Sequence, residues 1–166
     1  MPLIDALLPE FDREMGLTRR VLDRLPDAQF AWRPHPTSVT LGRLAEHLAE
    51  LPQWALMTMT QSSIDMATPR PAEYQPPANR EAVLKMMDTN VALARAALAG
   101  KTDAEFGAPW KLLAGGKEVF TMPKAAVMRN FVLNHLVHHR GQMTVYLRML
   151  GVPIPSLYGP SGDEKM

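Results

Sequence analysis

Asn134-His135-Leu136-Val137-His138-His139-Arg140-Gly141-Gln142, continued by Met143-Thr144-Val145-Tyr146-Leu147-Arg148-Met149-Leu150-Gly151, is the stretch on which the fold turns. It holds three of the five histidines, at 135, 138 and 139, and contains no proline. Gly151 suits the end of a helix, and Pro153 and Pro155 prevent its continuation. Pro123 upstream suits a first helical turn, so the pattern predicts one long helix from near Pro123 to Leu150. Projected at about 100° per residue from Met128, the apolar residues Phe131, Val132, Leu136, Met143, Tyr146, Leu147 and Leu150 cluster within about 80° of one centre. His139 falls almost on that centre and His135 about 40° from it, whereas His138 lies about 100° away, at the edge. Arg129, Asn130, Arg140, Thr144 and Arg148 project to the edge or to the solvated side.

Upstream, three more helices are predicted. From Pro2 to Leu25, Leu3, Leu7, Phe11, Met15, Val21, Leu22 and Leu25 recur at helical spacing. Pro26 and Asp27 end that run, and Trp32-Arg33-Pro34-His35-Pro36 reads as an extended connector. A second helix starts around Ser38 to Thr40 and carries Leu41, Leu44, Leu48, Leu51, Ala55 and Met59, with Pro52 expected to kink or break it. Ser63 to Pro77, rich in proline, reads as a long crossing loop. The third helix opens at Asn79 or Arg80 and runs to about Ala99, where Gly100 stops it. Between Trp110 and Phe120, two short semi-apolar stretches around Ala114-Gly115-Gly116 predict a small hairpin. The expected architecture is all-α: one four-helix bundle domain over 1–166, with a long crossover loop and a small hairpin before the last helix.

Composition narrows the function classes. With 46% hydrophobic residues in 166, the chain can fill one core. Eighteen basic against 17 acidic residues, net +1, is a poor electrostatic footprint for nucleic acid. The absence of cysteine excludes a disulfide scaffold, a thiolate metal site and a cysteine nucleophile. No apolar stretch approaches the ~18–20 residues of a membrane span. The expectation is a cytoplasmic protein acting on a small molecule, with neither nucleic acid nor membrane as partner.

Two imidazoles one turn apart on a buried face need partners for every ring nitrogen, and two protonated rings side by side are disfavoured. A divalent metal answers both demands by taking one nitrogen from each neutral ring, and zinc, nickel, iron and copper all accept imidazole. The competing reading makes His135 and His139 core or interface histidines satisfied by hydrogen bonds. His47, about 80° from the apolar centre of the second helix, is either a third ligand or a partly exposed surface residue. Three imidazoles without a carboxylate would leave positions open for water or substrate, the mark of a catalytic site. Gln142 and Tyr146 share the metal side of the last helix as hydrogen-bond partners for the ligands. Glu14, near the stripe of the first helix, is the candidate general base. The methionines lie at core spacing and read as core filler rather than copper ligands.

Glu14 to Leu25 (EMGLTRRVLDRL), Trp32-Arg33-Pro34-His35-Pro36, Leu44 to Trp54 (LAEHLAELPQW), Asn134 to Gly151 and the tail Tyr158-Gly159-Pro160-Ser161 together resemble the DinB/YfiT-like superfamily of metal-dependent enzymes. The resemblance implies a four-helix bundle, commonly a homodimer, with zinc or nickel held by one histidine of the second helix and an HxxxH pair of the fourth. By motif position these are His47, His135 and His139. It also implies relatives that use a low-molecular-weight thiol as co-substrate, its sulfur on the metal. Two reactions follow as expectations: thiol-dependent transfer, or hydrolysis in which the metal polarises water. In a cysteine-free chain the thiol would come from outside. The alternative class is a non-catalytic metal-binding bundle dimer, a stress-related sensor or structural protein.

Overall fold

The computed structural model describes residues 1–165. Helix α1 (Leu3–Leu22) buries Leu7, Phe11, Met15, Val21 and Leu22 of the stripe that the spacing predicts, whereas Leu3, counted with them, is exposed at the helix start. Helix α2 (Leu41–Thr60) starts behind Thr40, whose hydroxyl accepts the Arg43 N–H at 3.2 Å. Helix α3 (Arg80–Leu98) starts behind Asn79, which accepts the Ala82 N–H at 2.9 Å, and Gly100 follows its end at φ 72°. A short helix α4 (Asp103–Gly107) opens on a capping box made by Thr102 and Glu105. The last long helix is continuous but not uniform. It begins as α5 (Lys124–Val127), passes through a π-helical segment (Met128–Asn134) and resumes as α6 (His135–Met149).

The all-α expectation needs correction, because a three-stranded sheet accompanies the helices. Strands β1 (Ser63–Asp65), β2 (Pro109–Ala114) and β3 (Lys117–Pro123) lie in that order, β1 parallel to β2 and β2 antiparallel to β3. The β2–β3 pair is the expected hairpin, turning through Gly115 and Gly116 at φ 60° and 76°. Strand β1 lies inside the crossing loop and is only three residues long, too short to carry a period. A carboxylate holds it in place. Asp65 accepts the N–H groups of Ala67, Gly115 and Gly116 at 2.9, 2.9 and 2.7 Å, tying the loop to the hairpin turn. Those bonds keep the Asp65 pKa below its ordinary value. Beneath the sheet, Trp110, Leu112 and Val127 form a second apolar cluster flanked by Trp54, Ile64, Phe120 and Phe131.

The expected break at Pro52 is also absent, since α2 runs through it without interruption. The proline removes one helical donor, and α3 supports the disturbed turn from outside: the buried Asn90 donates to the Ala49 carbonyl at 2.8 Å. At the start of α2, Gly42 donates to the Phe30 carbonyl at 3.0 Å, and a Cβ there would stand 2.8 Å from Phe30 Cδ1 and 3.2 Å from Phe30 O. Overpacking of this kind costs roughly 1–3 kcal/mol, so Gly42→Ala is expected to lower the urea midpoint without changing the slope of the unfolding curve. Among the described residues, no helix is long and apolar enough to cross a membrane.

Candidate metal centre

Helix α2 carries His47 and helix α6 carries His135 and His139, and the packing of these two helices brings the three rings together. The ring centroids are 4.9 Å apart for His47 and His135, and 4.6 Å apart for each of the other two pairs. The same atom of each ring points inward. His47 Nε2 lies 3.2 Å from His135 Nε2, which lies 2.8 Å from His139 Nε2. Among the described residues, this is the one group of His, Asp and Glu donors that lie within 4.8 Å of one another, and no carboxylate belongs to it.

The outer side of one ring fixes its tautomer. His139 Nδ1 is 2.7 Å from Gln142 Oε1, an acceptor, so the proton sits on Nδ1 and Nε2 keeps its lone pair. Burial lowers the pKa of all three imidazoles, and the charge of neighbouring imidazoles lowers each further; His47 is pushed down to about 4. At neutral pH the centre is therefore three neutral rings whose Nε2 atoms converge, each able to offer a lone pair to a cation placed among them.

The other expected residues are placed as follows. Gln142 meets His139 as described, but Tyr146 does not serve the ligands. Its hydroxyl donates to the Val39 carbonyl at 3.3 Å, and its ring meets Trp32 edge-on at 5.6 Å, pinning the connector before α2. His138 is exposed, and the exposed His35 pairs with Thr37 Oγ1 at 2.8 Å. Glu14 is buried, as expected, but its role needs correction. Its Oε2 takes hydrogen bonds of 2.6 Å from both Arg140 and Tyr158, and the carboxylate does not belong to the imidazole group. Arg140, assigned by projection to the edge or the solvated side, is 1% exposed and also donates to the Glu14 carbonyl and to Thr18 Oγ1. The reading also missed Glu46, beside His47: 5% exposed, it accepts Arg70 at 2.7 Å and Tyr74 at 2.6 Å. No spacing rule pairs these residues, because Arg70 and Tyr74 arrive on the crossing loop.

The depressed His47 pKa sets a pH dependence. Between about pH 4 and 6.5 the unfolded, metal-free chain binds more protons than the folded one, so stability falls as pH falls through that window. In chelator, the melting temperature of the wild type is expected to drop more steeply from pH 7 to 4.5 than that of His47→Ala. Parallel pH profiles would contradict the burial of a neutral ring at this position.

The comparisons agree with this architecture. A solved DinB-like protein from Bacillus cereus ATCC 10987 is 24% identical, with TM-score 0.73 over 95% of this chain and 98% of that one. A mycothiol-dependent maleylpyruvate isomerase shares the fold more distantly, with TM-score 0.54 and 15% identity over 92% of this chain and 64% of that one. In sequence, the uncharacterized protein YrdA of Bacillus subtilis (strain 168) is 28% identical over 163 residues, 97% of this chain and 91% of that protein. The model of the DinB family matches residues 3–165, nearly the whole chain, and the chain belongs to the DinB family.

Proposed function

We propose that this chain is a metal-dependent enzyme in which His47, His135 and His139 hold one divalent transition metal, zinc or nickel, for thiol-dependent transfer to a small molecule. The observation that carries the reading is the convergence of three Nε2 atoms, with the outer nitrogen of His139 held by Gln142. A divalent ion bound there supplies a Lewis-acidic centre with open coordination positions. The chain's own part is to orient and to keep neutral. Gln142 fixes the His139 tautomer, and partial burial keeps the rings unprotonated near pH 7.

Two observations favour thiol transfer over hydrolysis. Activating water needs a proton acceptor, and Glu14, the candidate for it, is taken up by Arg140 and Tyr158. A thiol that arrives as thiolate needs no such base. The fold shared with a mycothiol-dependent isomerase points the same way.

Zinc-loaded and nickel-loaded protein, assayed with an electrophilic aryl halide, is expected to turn over only when a small thiol is added. Turnover without thiol would replace transfer by hydrolysis. Protein that takes up neither metal would leave a non-catalytic bundle.

A further inference from the structure

Between α2 and the crossing loop lies an open cleft of about 770 Å³, within the range of roughly 300–1,000 Å³ usual for small-molecule sites. Its apolar lining comes from Trp54, Met57, Ile64 and Met66. Trp54 follows His47 by seven residues, which places it about 20° round and about 10 Å along the same face of α2. Its indole stacks on Phe131 (centroids 6.5 Å apart, planes 17°), four residues before His135 on the facing helix. Phe131 in turn stacks on Phe120 at 4.9 Å. An aromatic wall of Trp54, Phe131 and Phe120 thus lies one to two turns along the helices from the imidazoles, which do not themselves line the cleft.

The charged lining residues are Glu50, Asp65 and Arg70, net −1, and each is already partnered. Arg70 spans Glu46 and Glu50 at 2.7 and 2.8 Å, and Asp65 is filled by three backbone N–H groups. An ionic ligand finds no free counter-charge here, and an anion meets a surplus of acid.

We infer that this cleft holds the carbon body of the substrate, and that this body is a neutral, planar aromatic molecule stacked against Trp54 with its reacting end toward His47. The cleft's part in a reaction rests on the metal reading; its ligand preference does not.

The test is a calorimetric titration of 2-naphthol, with 2-naphthoate as the charged counterpart, into zinc-loaded protein and into His139→Ala. Saturable naphthol binding is expected in both, and in His139→Ala, where no zinc offers its carboxylate a ligand position, naphthoate is at least about fivefold weaker because its charge is unmatched in the cleft. Trp54→Ala should weaken naphthol about tenfold and Trp54→Phe by less than about threefold, since the ring face is kept. Should Trp54→Ala fail to fold, Met66→Asp decides, because Met66 is 55% exposed and its replacement puts a charge into the cleft without touching the core. His139→Ala is expected to lose zinc and keep its naphthol affinity. No saturable binding, tighter naphthoate in His139→Ala, or naphthol affinity untouched by both cleft variants would overturn the inference. A zinc titration that fails while naphthol still binds would sink the metal reading alone.

Discussion

The His139→Ala protein, purified without a tag or chelator, is expected to bind zinc at least about a hundredfold more weakly than the wild type, more than the 10–100-fold usually lost with a ligand's hydrogen-bond partner. The size follows from geometry. His135 Nε2 faces both His47 and His139, so removing one ring leaves two donors on separate helices and opens a water-sized gap where the third stood. Gln142→Ala should fall between, about 10–100-fold weaker, because it frees the His139 ring to turn and to change tautomer while leaving all three donors present. Competition against a chromophoric chelator measures both constants. Equal zinc affinity in all three proteins would remove the metal centre from the account.

Arg140→Ala is expected to destabilise the fold by about 3–5 kcal/mol, the usual effect of stranding one half of a buried ion pair. Its side chain is 2% exposed and that of Glu14 8%, at 2.6 Å. The same guanidinium also holds the Glu14 carbonyl, Thr18 Oγ1 and Tyr158. For a chain of this length each kcal/mol shifts the melting temperature by about 2–4 °C, so a fall of roughly 6–20 °C should appear in thermal denaturation. Replacing both charges, as Arg140→Met with Glu14→Leu, should recover much of the loss, because neither is then buried alone. If Glu14 instead served as a base at the centre, Glu14→Gln would abolish turnover without a comparable loss of stability. The pair with Arg140 predicts the reverse emphasis.

Much of this was legible in the sequence, for identifiable reasons. The helix starts at Thr40 and Asn79 and the stops at Gly100 and Gly151 were readable because capping chemistry is local. Amphipathic spacing found α1 to α3, and His135 and His139 were separated from the exposed His138. The placement of the pair at the centre of the buried face was wrong, and the π-helical segment explains it. Each π turn takes in more residues than an α turn, so a count at 100° per residue from Met128 runs ahead of the real rotation. Within α6 alone, the buried residues Leu136, Arg140, Met143 and Leu147 fall at about 0°, 40°, −20° and 20° from Leu136, with His139 near −60° and His135 near −100°. Arg140 therefore sits in the core and the imidazoles on its flank, where they are partly buried and can be reached. Strand β1 and the Glu46 pairings were out of reach, because each depends on where the crossing loop lands.

The seven residues Met128–Asn134 also limit how the length of this chain can change over evolutionary time. Because a π turn takes in more residues than an α turn, these seven sweep nearly the rotation of six α-helical residues, so losing one of them would let the segment close to α-helix and leave everything downstream facing as before. The change falls inside the segment, where Phe131 and its neighbours would be re-aimed while His135 and His139 keep their place opposite His47. Homologous chains that retain the three histidines should therefore tolerate gaps in the crossing loop and at the Gly115-Gly116 turn, and between Val127 and His135 only the single-residue gap that closes the π segment to α-helix.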